Sequence, residues 1–370
     1  MKLQVTQENL HKALSSVGRV ANSRGTLPIL SNVLIKTIGN RLSIAATNLD
    51  IAITHYIGSK VKDEGAITVP ARLMVDFVAS LPSGTITLEL DETKLKITTD
   101  QYESVINGTT AEEYPVMPAI ADGSTWKVPS KVLRSGLQQV LMAASSDESR
   151  PVLTGVFVHT HNKNLYLVAT DSYRLAEKTL MKTAQEANLL IPATAMQDLL
   201  RILSDVEDEV IVTHDEQQVL FRVGDVELVA RLIEGTYPDY RKLIPNSFAQ
   251  SAVLKKQEFI NITKVSSLFA RESAGSVTIH LDNTKQEVSI RSIASQLGEN
   301  TASASGIIDG EGVITLNSRY ILDALHAIQG DDVKIAFNGK LEACLLSGPK
   351  HGDYLHVIMP LKSYTYTIRT

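Results

Sequence analysis

With 370 residues and a 44% hydrophobic composition the chain has material for several cores, yet no apolar run approaches the roughly 20 residues that a bilayer crossing needs. A single cysteine, Cys344, excludes an internal disulfide and a cysteine-based zinc cluster. The net charge of −5 excludes a uniformly basic surface, and the charged, amide-rich start MKLQVTQENL lacks the apolar block of a signal peptide, so a cytosolic compartment is expected.

Taken in order, the chain repeats one arrangement six times. Helical stretches open at Thr6, Pro70, Pro129, Pro192, Lys255 and Asn317, at successive separations of 64, 59, 63, 63 and 62 residues. An apolar strand residue precedes each opener (Val5, Val69, Val128, Ile191, Leu254, Leu316), and an apolar helix residue follows four positions later (Leu10, Met74, Leu133, Met196, Phe259, Ile321). Eight positions after the opener the apolar face returns at Leu14, Val78, Leu137, Leu200 and Leu325, with Thr263 as the exception. In the third copy the spacing predicts that Pro129 occupies the first helical turn, where its missing N–H costs nothing.

Between the helices, alternating apolar residues and turn chemistry predict hairpins: 33–36 with 42–46, 85–90 with 94–98, 210–213 with 219–223, 276–281 with 287–291, and 333–337 with 342–346. The units also pair. Residues 27–34 (LPILSNVL) read like 150–157 (RPVLTGVF), and 42–47 (LSIAAT) like 165–170 (LYLVAT), both 123 positions apart. Two units therefore make a domain, and the expected domains are 1–124, 125–252 and 253–370. The six helical stretches carry a net +5, which leaves −10 on everything else. That is the pattern of a basic lining in an acidic shell, although Lys-rich helix exteriors also serve solubility.

The chain shows no P-loop, no Gly-x-Gly-x-x-Gly, no His-Glu-x-x-His and no nucleophile with a plausible base, so no catalytic residue is expected. His159 and His161 could share one side of a strand, but no third metal ligand is evident, and the acidic run Asp205, Glu207, Asp208, Glu209 reads as a solvated loop.

Four segments in order on this period, 26–30 (TLPIL), 168–175 (VATDSYRL), 237–241 (YPDYR) and 357–360 (VIMP), resemble the bacterial sliding clamp, the beta subunit of DNA polymerase III, from position 1 to about 362. The resemblance implies an α+β fold of three repeated clamp domains, each two helix-plus-antiparallel-sheet units, forming half of a ring. It implies a head-to-tail homodimer that encircles double-stranded DNA without reading its sequence, with no metal or cofactor. It also implies short clamp-binding peptides from the polymerase III alpha subunit, the clamp loader, other DNA polymerases and repair proteins.

Carried onto this sequence, the family's DNA-contacting positions fall at Arg24, Arg72 and Arg201, with Arg150 on a loop facing the strand, where Pro151 and Val152 replace the aromatics of many relatives. The partner-peptide cleft falls at Leu153, the turn with Thr170, Tyr173, Arg174 and Leu175, the run Pro238, Lys242 and Leu243, and the terminal Val357, Ile358, Met359, Pro360 and Leu361. The turn is specialised, because the first domain continues after Ala46-Thr47 with Asn48-Leu49-Asp50, whereas the second continues after Ala169-Thr170 with Asp171-Ser172-Tyr173-Arg174-Leu175. Ile106 is expected to meet Leu268 and Phe269 of a second copy. A tail at 363–370 alternates like a strand and could compete for the cleft.

Overall fold

The structure, a computed structural model, describes residues 1–21, 27–294, 296 and 298–362. Among them lie six α-helices: α1 (Gln7–Ala21), α2 (Ala71–Ser80), α3 (Ser130–Val140), α4 (Ala193–Ile202), α5 (Lys256–Phe269) and α6 (Ser318–Ala327). Each begins one residue after its predicted opener, because the opener is the last residue of the incoming strand: Lys2–Thr6, Ala66–Pro70, Ser124–Pro129, Asn188–Pro192, Gln250–Lys255 and Gly312–Asn317. The prolines thus end strands instead of starting helical turns. Pro70, at φ −55° and ψ 118°, caps α2 from an extended conformation that its ring permits.

All six residues four positions beyond the openers are buried, from 0% to 2% exposed. Eight positions beyond, Leu14, Val78, Leu137 and Leu325 are fully buried, whereas Leu200 is half-buried and Leu199 takes the core place. Thr263 is equally buried, and its hydroxyl donates to the Phe259 carbonyl at 2.7 Å, so a polar group enters the core with its hydrogen bond satisfied inside the helix.

The strands form three continuous antiparallel sheets, not six separate ones. The first has five strands in the order Lys60–Asp63, Lys2–Thr6, Thr85–Asp91, Lys94–Thr98, Glu103–Asn107. The second has eight, and Val226–Arg231 joins Ile51–Gly58 at its middle with Leu228 opposite Ile53. The third has twelve, joined by Arg174–Lys182 and His351–Ile358 with Leu175 opposite Val357. Main-chain groups that would be orphaned at a free edge are paired at these seams. The predicted hairpins form, except that the last one resumes as Cys344–Gly348, two residues later than expected at Glu342. By compactness the chain divides into a unit of residues 1–132 with 197–232 and a unit of 133–196 with 233–370, so the second repeat contributes to both.

Within the first unit α1 and α2 touch at Gly18, where a Cβ would lie 2.8 Å from Val75 Cγ2. Mid-helix alanine normally gains about 0.5–1 kcal/mol over glycine, but here overpacking against a stiff β-branched side chain should outweigh it. Gly18→Ala is expected to destabilise by about 1–2 kcal/mol in urea unfolding, and adding Val75→Ala should return most of the loss.

Candidate nucleic-acid interface and partner cleft

Helix geometry leaves the cations of α1, α2 and α4 on the solvent side of each amphipathic stripe. Arg72 on α2 is 87% exposed and lies 4.0 Å from Asp76, one turn along. Arg201 on α4 is about half exposed, and its Nη1 donates to Asp198 Oδ1 at 2.5 Å. Burial pushes the Asp198 carboxyl above its ordinary range against the pull of Arg201 and Arg19. Arg150 is held in its loop, with Nε donating to Asp147 at 2.8 Å and Nη1 to the Ser172 hydroxyl at 2.9 Å. Arg24 lies outside the described residues. The family carry-over omits Lys12 and Arg19 of α1, which are exposed on the helix whose partner α2 carries Arg72; their place on the polar stripe was the available signal.

In the second unit the turn shares the hydrogen-bonded construction of its first-domain counterpart at 47–51 and differs from it in its side chains. Asp171 Oδ1 accepts the main-chain N–H of both Tyr173 and Arg174 at 2.9 Å, and the Thr170 hydroxyl donates to the Arg174 carbonyl at 2.6 Å. Ser172 is thereby held at φ 78°. The tip carries Tyr173, 59% exposed, whose carbonyl accepts the Met359 N–H at 2.8 Å, while the Leu361 N–H donates to the Thr315 carbonyl at 2.8 Å. The terminal segment is therefore laid beside the turn. Leu175 and Val357 join Val168, Leu190, Tyr237 and Tyr240 in one buried cluster against which Val152 packs. Above this floor Tyr173, Leu243 and Met359 remain exposed at 59%, 56% and 39%. Pro238 and Lys242 are exposed beside them in sequence, the latter paired with Asp239 at 2.8 Å; Leu153 is buried and Pro360 half-buried.

Two predicted cleft residues sit deeper than a contact surface. Ile358 is fully buried. Arg174 is 7% exposed, with Nε on Asp171 at 3.1 Å, Nη1 on Asp323 at 2.5 Å, Nη2 on the Met142 carbonyl and its guanidinium 4.4 Å from the centre of the Tyr320 ring. Its donors are occupied by the protein, so it braces the cleft from within. Removing one partner of such a buried pair strands a charge. Arg174→Ala is expected to cost about 3 kcal/mol, read as a lowered urea midpoint.

Below the floor, the Tyr240 hydroxyl donates to Glu177 and lies 2.8 Å from His159 Nε2, while Arg241 pairs with Glu177 at 3.3 Å and covers the Tyr166 ring at 4.6 Å. This accounts for His159, which stacks on Phe157 at 4.6 Å instead of joining His161 on a metal. Among the described residues no three His, Cys, Asp or Glu are grouped to hold a metal. The acidic run is partly neutralised, with Glu207 on Lys131 at 3.0 Å and Glu209 on Lys127 at 3.1 Å.

Of the expected dimer residues, Leu268 is 51% exposed on α5 and Phe269 is half-buried, but Ile106 is 5% exposed and turned into the core of its sheet. The exposed apolar residue on that edge strand is Val105, at 55%. Strand alternation sets this difference: Val105 shares a face with Glu103 and Asn107, the polar set.

Repeated strand–helix units, cation-bearing helices and exposed apolar residues at 173, 243 and 359 near a buried hydrophobic cluster match a class of non-catalytic replication clamp, and comparison with known proteins agrees. Models of the DNA polymerase III beta subunit match its N-terminal domain to residues 1–118, its central domain to 127–239 and its C-terminal domain to 241–362. The chain is 29% identical to the beta sliding clamps of Bacillus subtilis and Staphylococcus epidermidis, over 98% of its own length and 100% of theirs. The crystal structure of the Bacillus subtilis DNA polymerase sliding clamp superposes with a TM-score of 0.93 at 28% identity, covering 98% of this chain and 100% of that one. A sliding clamp from Bartonella birtlesii bound to griselimycin gives 0.93 at 26% identity over 98% of this chain and 100% of that one. The chain belongs to the DNA polymerase III beta subunit family, the bacterial sliding clamps of DNA replication, and is not an enzyme. None of its described helices is long and apolar enough to cross a membrane.

Burial holds three imidazoles below their usual pKa: His55 and His159 to about 4 and His356 to about 3. Their unfolded forms protonate near 6.5, so the unfolded state binds more protons between that value and about 4. Stability is therefore full above pH 6.5 and falls on acidification, by about 1.4 kcal/mol per pH unit for each histidine. Urea unfolding at pH 7.0, 6.0 and 5.0 should show this loss, and His159→Gln should lower the slope by about one proton.

Proposed function

We propose that the chain acts in the cytosol as a head-to-tail homodimer whose three clamp domains, 1–124, 125–252 and 253–370, supply half of a closed ring around duplex DNA. The observation that carries the proposal is that, among the one-sided strands of the sheets, two lie beside exposed apolar residues, Val105 and Leu268. Among the described residues, Glu103–Asn107 pairs only with Lys94–Thr98, and residues 298–305 pair only with Glu287–Ala294. One lies in each compact unit. Edges of this kind satisfy each other between copies, and a heterologous contact that closes makes a ring. The Ser266 hydroxyl lies 3.1 Å from Asn300, so α5 with Leu268 and Phe269 flanks the second edge. On the first edge Val105, not the buried Ile106, supplies the apolar contact.

Arg72 and Arg201, with Arg24 at a position outside the described residues, contact phosphates. Such contacts carry no sequence information and weaken with salt, which suits sliding. Retention is topological. The cleft takes an extended apolar peptide of the polymerase III alpha subunit, the clamp loader, other polymerases or repair proteins, with Tyr173, Leu243 and Met359 at its mouth and the Leu175 and Val357 cluster as floor. The tail at 363–370, also outside the described residues, follows Lys362 in sequence and is a competitor for that cleft.

Loaded onto nicked circular plasmid by a clamp loader, the protein should stay bound through a salt wash and be lost once the circle is cut. Survival on linear DNA would move the function to a repeat-built scaffold that never encircles DNA. Leu268→Glu with Val105→Glu should shift sedimentation from dimer to monomer. Met359→Ala with Leu243→Ala should weaken a fluorescent clamp-binding peptide by about tenfold or more, and removing residues 363–370 should tighten it.

A further inference from the structure

Within the first compact unit a cavity of about 680 Å³ opens beside α1, bounded by α4, Ser204 and residues 206–208 on one side and by residues 223–226 on another. That volume falls in the range of small-molecule sites. Most lining carboxylates are neutralised internally. Asp198 holds Arg201 at 2.5 Å, Asp225 holds Arg41 at 2.6 Å, and Glu207 holds Lys131 at 3.0 Å. Lys12 and Arg19 also line the cavity, and neither forms a hydrogen bond or ion pair among the described residues. Among the described lining side chains the remaining carboxylate is Asp208, so Lys12 and Arg19, the latter also acting on Asp198, face one acid that no ion pair occupies.

The rest of the wall is mixed. Ile202, Val206, Val223 and Val226 give it an apolar side. Among the polar residues, the Ser16 hydroxyl donates to the Ala13 carbonyl at 2.7 Å, so the 3.0 Å contact with His55 Nδ1 has the imidazole as donor and leaves Nε2 an acceptor. Burial and the neighbouring Lys12 keep that imidazole neutral at pH 7. His11 Nδ1 is buried with no partner among the described residues. Duplex DNA offers phosphates on the outside of a wide cylinder and has no use for a partly enclosed apolar wall. A single nucleotide unit joins an anion to a flat, largely apolar ring, as this lining does.

We infer that the cavity is a binding site for a nucleoside monophosphate unit, its phosphate held by Lys12 and Arg19 and its base placed against Ile202, Val206, Val223 and Val226. The unit comes either from free nucleotide or from a single strand. Calorimetric titration of the full chain with dAMP tests this without duplex DNA, ring closure or a partner, so its failure leaves the clamp reading intact.

The expected result is saturable binding of dAMP, at least tenfold tighter than inorganic phosphate or unphosphorylated deoxyadenosine. It should weaken at least tenfold in the Lys12→Ala, Arg19→Ala double variant, whose two positions are exposed and should leave the melting temperature unchanged. A pentadeoxyadenylate that binds tighter per nucleotide than dAMP, with the same dependence on Lys12 and Arg19, assigns the site to a strand; equal affinity assigns it to the free nucleotide. Absence of dAMP binding, binding that survives the double substitution, or phosphate binding as tightly as dAMP would overturn the inference.

Discussion

Main-chain hydrogen bonding at sheet edges is the constraint on which the rest depends. A helix laid on a short sheet buries its apolar stripe but leaves two edges of unpaired N–H and C=O groups, and such edges recruit whatever strand is nearest. In each compact unit the chain answers this internally. Val226–Arg231 is joined to Ile51–Gly58 in one unit, and Arg174–Lys182 to His351–Ile358 in the other, so strands remote in sequence become continuous sheets. The seams also explain where the cleft is built. The second seam brings Leu175 opposite Val357 and Arg174 opposite Ile358, and there the Tyr173 carbonyl holds the Met359 N–H of the terminal segment.

Electrostatics then divides labour among similar-looking arginines. Arg174 is enclosed and saturated by Asp171, Asp323 and a carbonyl, whereas Arg72 is exposed with its acid 4.0 Å away. The first is expensive to remove because two half-buried carboxylates would lose their shared partner, and it contributes rigidity. The second interacts weakly with Asp76 through solvent, so it can exchange that neighbour for a phosphate at little cost. A surface over which DNA must move needs cations of this second kind. A guanidinium whose donors are all taken by the protein, like that of Arg174, has none left for a phosphate.

Much of this was legible in the residues because the governing interactions are local. The strand-to-helix junction recurs near every 62 residues, since each unit needs an apolar strand end and then apolar positions at helical spacing; both signals lie within about ten residues. Hairpins at Gly39-Asn40 and Glu92-Thr93 followed from turn chemistry, the first with Gly39 at φ 54°. The prolines were misplaced by one residue because a fixed φ near −65° suits a strand end and a first helical turn alike. Non-local contacts left no trace in any window. His159 meets Tyr240 across 81 positions, and Arg174 meets Asp323 across 149.

The two histidines of the 159–161 pair show how far a pattern can carry an argument. Spacing alone allows both imidazoles on one side of a strand, which is a metal ligand's geometry and equally a structural one. What decides between them is the company each ring keeps. Phe157, Tyr166 and Tyr240 enclose His159, and burial beside Arg241 makes its charged form unfavourable. It therefore serves as a neutral spacer whose Nε2 is committed to the tyrosine that floors the cleft. The polar network beneath the apolar floor fixes where Tyr240 stands, and a surface fixed in advance has less entropy left to lose on any contact made with it.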